Sequence, residues 1–276
     1  MADGKEKPAR VEARPLAGRT VVLTRPRSQS AQMASLLEER GARVLEVPCI
    51  AIAPPDDSYA ALDRALLALP GRFDWLVVSS ANGVDSLLAR LAHLGLDARA
   101  LAGPKIAAVG PATARALEAA RIKPDLVPEE FSAEGLCRAL STEGVARRRF
   151  LVVRAQEGRE ILPERLAAEG AEVEVCAAYR TVRAAIDVEP LRARLLGGEI
   201  SAVTFASPSA VKSFVASFGP GEARRLLETV CVAAIGPVTA KAAQELGLRV
   251  DVSPAEFTGV AMADELARRL GGWSGQ

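Results

Sequence analysis

The chain has 276 residues and carries 35 lysines and arginines against 34 aspartates and glutamates, so its formal net charge is +1. This balance excludes a broad basic surface that neutralises many nucleic-acid phosphates, and the single histidine, His93, excludes a multi-histidine metal site. No run of 18 apolar residues occurs, and residues 1–15 mix charges with proline, so we expect a cytoplasmic protein with neither a membrane-spanning helix nor a secretory signal.

Apolar periodicity predicts strands and helices in alternation along nearly the whole chain. The predicted strands are Thr20–Thr24, Arg43–Val47, Trp75–Ser79, Lys105–Val109, Phe150–Val153, Val173–Tyr179, Ala202–Phe205, Cys231–Ile235 and Arg249–Val252. The predicted helices are Ser28–Arg40, Ala60–Leu69, Val84–Leu94, Ala112–Arg121, Arg159–Glu169, Leu191–Leu196, Ala210–Ser217, Val238–Leu246 and Gly259–Leu270. This alternation predicts parallel sheets covered by helices on both faces. Residues 1–15 and 271–276 are expected to be flexible ends.

The sequence contains a long internal repeat. Residues 106–117 align with residues 232–243 at an offset of 126, with seven of twelve positions identical. The same offset pairs residues 125–132 with residues 251–258, and the segments after Val22 and Val152 correspond in a similar way. A period of this length indicates two duplicated α/β domains and not a solenoid of short repeats.

Each copy of the repeat has a strand that runs into a Gly-Pro pair and then a helix, at Gly110-Pro111 and at Gly236-Pro237. Glycine allows the backbone to approach a ligand closely, and proline suits the first helical turn. The free N–H groups that follow form a ready site for anions, with Thr239 adding a hydroxyl. Ordinary helix capping is the alternative explanation.

Further polar residues follow other predicted strands: Ser80, Asn82, Ser207 and Ser209, and the arginines Arg25, Arg154 and Arg159. Ligands of open α/β sheets bind outside the carboxyl ends of the strands, and guanidinium groups there could bind carboxylates. Helix capping and surface salt bridges remain the alternatives for these residues.

The chemical inventory leaves few groups for acid–base catalysis. The sequence has no phosphate-binding GxxxxGK[ST] loop, no G-x-G-x-x-G after a strand and no G-x-S-x-G elbow. The four cysteines are scattered without a close pair, so we expect reduced thiols and no zinc or iron–sulfur site. Tyr179, one of only two tyrosines, ends a predicted strand and could donate a proton, or it could be an interface aromatic with its hydroxyl satisfied.

These motifs, in this order and spacing, resemble the uroporphyrinogen-III synthase family from Leu16 to Leu270. The resemblance rests on Thr24–Pro26, Ser79–Val84, Arg159–Pro163, Tyr179–Thr181, Phe205–Val211 and Ala233–Pro237. The family implies a cofactor-free lyase of tetrapyrrole and heme biosynthesis that cyclises hydroxymethylbilane to uroporphyrinogen III. Water is lost, and ring D is inverted through a spiro intermediate.

The resemblance also implies a fold with two flavodoxin-like parallel-sheet domains joined by a two-stranded antiparallel ladder. Carried onto this sequence, residues 16–47 and 183–270 form the first domain and residues 48–182 the second, with the crossings at Arg43–Ile52 and Val173–Val182. Each copy of the repeat could then lend its first strand and helix to the sheet of the other copy.

The family further implies roles for individual residues. Tyr179 matches the tyrosine proposed to help the hydroxyl to leave, while Ser80, Ser207 and Thr239 match hydroxyls of the binding cleft. Arg159 matches the basic residue that follows the strand of the second copy. With the candidates found from the pattern alone, the predicted substrate-binding set is Arg25, Ser80, Asn82, Arg154, Arg159, Ser207, Ser209, Gly236 and Thr239. We expect a monomer that binds the tetrapyrrole polycarboxylate, no metal and no nucleic acid.

A second function class shares most of these features. A cytoplasmic two-domain protein that binds or senses a small anion would also have duplicated α/β domains and anion-binding helix starts. Conversion of hydroxymethylbilane separates the two hypotheses, because a protein that only binds the anion would leave isomer I from spontaneous closure.

Overall fold

The computed structural model describes residues 14–158 and 160–271, without the side chains of Ser28 and Pro70. In these residues the strands are β1 (Thr20–Leu23), β2 (Arg43–Glu46), β3 (Ile50–Ala53), β4 (Trp75–Val78), β5 (Lys105–Ala108), β6 (Arg149–Ala155), β7 (Glu172–Arg183), β8 (Ala202–Phe205) and β9 (Cys231–Ala234). The chain forms two compact units: unit 1 contains the residues up to Ala51 and from Val182 onward, and unit 2 is Ile52–Thr181.

Helices connect most of these strands. They are α1 (Ala31–Glu39), α2 (Ala60–Leu67), α3 (Leu69–Arg72), α4 (Ala81–His93), α5 (Pro111–Ala119), α6 (Ala133–Glu143), α7 (Ile161–Ala168), α8 (Val188–Leu196), α9 (Pro208–Phe218), α10 (Pro220–Leu226), α11 (Pro237–Glu245) and α12 (Gly259–Gly271). In the described part of the chain, no helix is both long enough and apolar enough to cross a membrane.

The sheet of unit 1 has the strand order β2-β1-β8-β9, and all of its pairings are parallel. An isolated parallel bridge joins Ala233 of β9 to Val252. Strands buried on both faces read as continuous apolar runs, as in the β1 sequence TVVL. Alternate residues enter different clusters, with Val22 in one and its neighbours Val21 and Leu23 in another, so a core lies on each face of the sheet.

The larger sheet has the order β3-β7-β6-β4-β5, and its β7-β6-β4-β5 part is parallel throughout. β3 runs in the opposite direction to β7. The N–H of Ala184 donates to the carbonyl of Cys49 at 3.0 Å, whereas Arg180 Nε donates to the carbonyl of Pro54 at 2.9 Å. This pair is the antiparallel ladder that the family resemblance implies. The predicted fold class is therefore confirmed.

The two sheets contain corresponding strands of the repeat in the same spatial order, but each sheet mixes the two copies. In unit 1, β1 and β2 from the first copy pair with β8 and β9 from the second. In the larger sheet, β6 and β7 from the second copy pair with β4 and β5 from the first. Each copy has thus exchanged its first strand–helix–strand segment for that of the other.

The predicted elements differ from the structure in a few places. The predicted strand Arg249–Val252 is reduced to the single bridge at Val252, and the ladder strand β3 was foreseen only as part of a crossing. Three helices were not predicted, α3, α6 and α10, and each has a glycine near its start. Glycine lowers helix propensity, and Gly135 stands in α6 because a Cβ there would overlap the carbonyl oxygen of Glu130.

We expect Gly135→Ala to lower the free energy of unfolding by about 1–3 kcal/mol, since the new methyl group must displace backbone. The matched control is Gly221→Ala in α10, where an added Cβ meets no atom within 4 Å. That variant should gain about 0.4–1 kcal/mol from the lower entropy of its unfolded chain. Urea unfolding of both variants measures the difference, and equal effects would contradict this account of Gly135.

Candidate active site

The structure places the described site residues near the carboxyl ends of the parallel pairings, in one set for each unit. Tyr179 was predicted to end its strand, but β7 continues to Arg183, and it is the parallel pairing with β6 that ends at Tyr179. Unit 2 contains Ser80, Asn82, Arg154 and Tyr179, and unit 1 contains Arg25, Ser207, Ser209, Gly236 and Thr239. Arg159 lies outside the described residues. The two sets differ in which side chains already have partners, and this difference limits what each can do.

The hydroxyls of Ser80 and Tyr179 meet at the carboxyl edge of the larger sheet. Ser80 Oγ lies 3.0 Å from Tyr179 Oη and also accepts a hydrogen bond from the N–H of Gly83 at 3.1 Å. Ser80 is the N-cap of α4, with extended backbone angles. Tyr179 comes from β7, two strands away in the sheet. The contact therefore joins residues 99 positions apart in the chain.

A break in the strand register brings Tyr179 to this position. Arg154 of β6 lies opposite Ala177, but Ala155 lies opposite Tyr179, so β7 contains one extra residue. In a regular strand Tyr179 and Ala178 would face opposite sides of the sheet. Here both belong to the same core cluster, and Tyr179 is only 7 % exposed. The irregularity thus turns the phenol toward the face of the sheet that α4 covers, where its hydroxyl meets Ser80.

The pair can act as a donor of one proton. A serine hydroxyl has one hydrogen and two lone pairs, so Ser80 can accept from Gly83 and still donate to Tyr179 Oη. In that arrangement the phenolic hydrogen of Tyr179 is available for an oxygen atom of a ligand. Asn82 lies half-buried in the first turn of the same helix, α4.

Arg154 is held by its own loop. Its guanidinium donates to the carbonyl oxygen of Gly158 and to the carboxylate of Glu160, and the residue is buried. Arg154 was predicted to follow its strand, but β6 continues through Arg154 to Ala155. No local sequence pattern indicated its neutralisation by Glu160. Nη1 and Nη2 are engaged in the turn that precedes α7, and Glu160 neutralises the charge, although Nε is buried without a hydrogen-bond partner among the described residues. Little of the charge of Arg154 is therefore left for a ligand.

Arg25 is the corresponding arginine of the first copy, and its surroundings are different. Its Nε is buried without a hydrogen-bond partner, and no described carboxylate forms an ion pair with its guanidinium. The side chain lies beside Met33, Thr204 and Met262 at the carboxyl edge of the unit 1 sheet. Burial lowers the pKa of this arginine from its ordinary value. A partly buried cation without a counter-charge is suited to receive an anion from outside.

Four helices begin at these strand ends, and none of α4, α5, α9 and α11 has an acidic residue in its first turn. Ser207 caps α9 by accepting from the N–H of Ala210, while Ser209 is exposed in the first turn. α11 begins at Gly236 without any side-chain cap, and Thr239 in its first turn is 4 % exposed. These starts leave N–H donors and the positive end of the helix dipole for an anion.

Two residues outside the predicted set lie against the Gly-Pro helix starts: Phe131 beside Gly110 and Phe257 beside Gly236. The signal that could have identified them is present in the sequence. Both belong to the segment that repeats at an offset of 126, and both are identical between the copies.

The cysteines do not offer a nucleophile. All four are buried and free. Desolvation raises the pKa of Cys49 and Cys176 to about 12 and that of Cys231 to about 11, so these thiols stay protonated at neutral pH. Within residues 14–158 and 160–271, no cluster of three His, Cys, Asp or Glu side chains could hold a metal ion.

A double-mutant cycle should detect the Ser80–Tyr179 hydrogen bond. We expect the effects of Ser80→Ala and Tyr179→Phe on the free energy of unfolding to be coupled by about 0.5–1.5 kcal/mol, because each variant removes one side of the bond. Ser207→Ala removes an equivalent cap but no bond to Tyr179, so the Ser207–Tyr179 cycle should be additive. Additive effects in both cycles would contradict the contact.

Comparison with known proteins identifies the family. The family model described as Uroporphyrinogen-III synthase HemD matches residues 31–264. The uroporphyrinogen-III synthase of Synechococcus elongatus is 34 % identical over 249 residues, which are 88 % of this chain and 92 % of the relative. A solved structure of mutant uroporphyrinogen III synthase from Thermus thermophilus covers 91 % of this chain and 98 % of that chain, with 25 % identity and a TM-score of 0.63. The Helicobacter pylori uroporphyrinogen-III synthetase structure, 19 % identical over 91 % of this chain and 99 % of that chain, shows the same fold with a TM-score of 0.59. The chain belongs to the uroporphyrinogen-III synthase family.

Proposed function

We propose that this protein cyclises hydroxymethylbilane to uroporphyrinogen III, with loss of water and inversion of ring D. The observation that carries the proposal is the buried Tyr179 hydroxyl, held 3.0 Å from Ser80 at the strand ends of a chain of this family. A hydroxyl leaves the substrate in this reaction, and a positioned phenol is suited to assist its departure.

The substrate is a linear tetrapyrrole that carries acetate and propionate groups, and it is therefore a polyanion. The helix starts at Ser207 and Gly236 offer backbone N–H donors without competing acidic residues. Arg25 adds a cation that is paired with no carboxylate in the described part of the chain. These groups of unit 1 are suited to receive carboxylates.

The protein needs to supply little of the chemical reactivity. A hydrogen bond from Tyr179 helps the hydroxyl to leave as water, while the electrons of the attached pyrrole form an azafulvene cation. The substituted carbon of ring D then attacks this cation and forms the spiro intermediate. The older bond from that carbon to its methylene bridge breaks, which leaves a second azafulvene cation on the neighbouring ring, and the unsubstituted α-carbon of ring D bonds to this cation. The proton lost from that α-carbon restores aromaticity and the phenol. No electron acceptor is required, because the overall reaction is a loss of water. The main task of the binding site is to hold the chain in the conformation that favours this attack over direct closure to isomer I.

A direct assay separates this function from anion binding alone. Freshly prepared hydroxymethylbilane is incubated with the protein, the products are oxidised, and isomers I and III are separated. Isomer III above the level formed without protein supports the proposal, whereas isomer I alone would overturn it. That the protein is a cytoplasmic monomer without a cofactor stays a prediction.

Tyr179→Phe should lower kcat by about 10²-fold, because general acid assistance is commonly worth about 10²–10⁴-fold. The variant keeps the ring that packs in the core, so its KM should change little. Full rate and full yield of isomer III in this variant would show that the phenol does not assist departure.

Arg25→Met should raise the KM for hydroxymethylbilane about tenfold or more, the size expected for one charged hydrogen bond. Its free energy of unfolding should not fall, because the variant removes a desolvated charge that no described carboxylate neutralises.

Arg154→Met is the matched comparison. It removes the bonds to Gly158 and Glu160, so the free energy of unfolding should fall by about 1–3 kcal/mol. Equal losses of stability in both variants would show that Arg25 is a structural residue.

A further inference from the structure

Phe131 and Phe257 lie in corresponding segments of the two copies, residues 125–132 and 251–258, which have no role in the function proposed above. Aromatic residues make up only 4 % of the chain, yet these two are each 60 % exposed. They are separated by 126 residues, the offset of the repeat. Each phenylalanine directly follows a glutamate, and a proline stands two residues before that glutamate. A ring that folding leaves exposed at the same point in both copies gains little from the core and is available for a ligand.

Both phenylalanines are held on firmly anchored segments. The carboxylate of Asp125 accepts from the N–H of Ile106 at 2.7 Å, and that of Asp251 accepts from the N–H of Val232 at 3.0 Å. The residue after each phenylalanine caps the next helix, since Ser132 accepts from Gly135 in α6 and Thr258 from Ala261 in α12. The exposure of the rings is thus built into an ordered part of each unit.

Each ring side chain lies against the glycine that begins a helix. A Cβ added at Gly236 would lie 3.0 Å from Phe257 Cδ1, and one added at Gly110 would lie 3.4 Å from Phe131 Cβ. The φ angles of these glycines, −173° and −166°, are extended values that any residue adopts. A Cβ at Gly236 would crowd the Phe257 ring, whereas one at Gly110 would meet Phe131 at an ordinary van der Waals distance. That these glycines admit a ligand to the backbone stays a prediction.

This arrangement joins an apolar ring face to a group of anion receptors. α5 and α11 both begin without a side-chain cap or an acidic first turn. Thr113 and Thr239, in those first turns, are each 4 % exposed, and no hydrogen bond joins their hydroxyls to another described residue. A ligand that fits both features is a flat, electron-rich ring with carboxylates on short arms.

We propose that Phe131 and Phe257 are positioning residues, each of which packs against a pyrrole ring while the adjacent helix start binds a carboxylate of that ring. The inference rests on the proposed function, because it takes the linear tetrapyrrole as the ligand. Loss of either ring contact loosens the folded chain of the substrate, so both the affinity and the preference for isomer III should fall.

The test compares Phe257→Ala with Leu196→Ala in unit 1, and Phe131→Ala with Leu67→Ala in unit 2. Both leucines are 62 % exposed on helices that carry none of the proposed site residues. Each phenylalanine variant should raise the KM for hydroxymethylbilane about three- to tenfold, the range expected for one aromatic contact, and should increase the share of isomer I. The leucine variants should behave as the unmodified protein.

A binding measurement separates ring packing from carboxylate binding. The affinity for uroporphyrin III, followed by its fluorescence, should fall by a similar factor in the phenylalanine variants. Inhibition by butane-1,2,3,4-tetracarboxylate, which has no ring, should stay unchanged. If an alanine variant folds poorly, Phe257→Leu or Phe131→Leu keeps the apolar bulk, and the same loss of porphyrin affinity is expected.

The outcomes distinguish the two proposals. If the unmodified protein forms no isomer III, the proposed function fails. If it forms isomer III and the phenylalanine variants match the leucine controls in KM, isomer ratio and porphyrin affinity, the inference is overturned. A change in self-association of the phenylalanine variants at unchanged KM would assign the rings to a protein interface and would also overturn it.

Discussion

Each sheet depends on one central strand pairing, β1 with β8 in unit 1 and β4 with β6 in the larger sheet. Val21 lies opposite Ala202 in the first pairing, and Trp75 lies opposite Phe150 in the second. Each pairing joins a strand of one copy of the repeat to a strand of the other. Because the backbone groups of a buried strand must find partners within the protein, each copy needs the first segment of the other to complete its sheet.

The candidate site depends on this exchange. Ser80 follows β4 of the first copy and Tyr179 comes from β7 of the second, and they meet only because β6 lies between these strands in one sheet. In unit 1, Arg25 of the first copy lies beside Thr204 of the second. Without the exchange, neither pair of residues would share a sheet edge, although every local element could still form.

The two copies have diverged at corresponding positions, so the strand-end edges of the two sheets carry different side-chain contacts. Arg154 is neutralised by Glu160, whereas Arg25 has no described acidic partner. In the larger sheet Ser80 contacts Tyr179. The position that corresponds to Tyr179 in the first copy, by the offset that relates Gly170 to Gly41, is the apolar Ile50. Duplication therefore supplied two similar sheet edges, and a few substitutions gave one edge the Ser80–Tyr179 contact and left the other with Arg25, which is paired with no described carboxylate. Phe131 and Phe257 are among the features that both edges kept.

The sequence by itself determined the alternation of strands and helices, the duplication and the residues at the strand ends, because these depend on short-range periodicity and on turn residues. It did not reveal α3, α6 or α10, since glycines near their starts weaken the local signal. Only the tertiary structure decided which strand ends lie together, which arginine is neutralised and which face Tyr179 takes. Those outcomes depend on contacts between residues far apart in the chain and on one extra residue in the register of β7, neither of which has a local pattern.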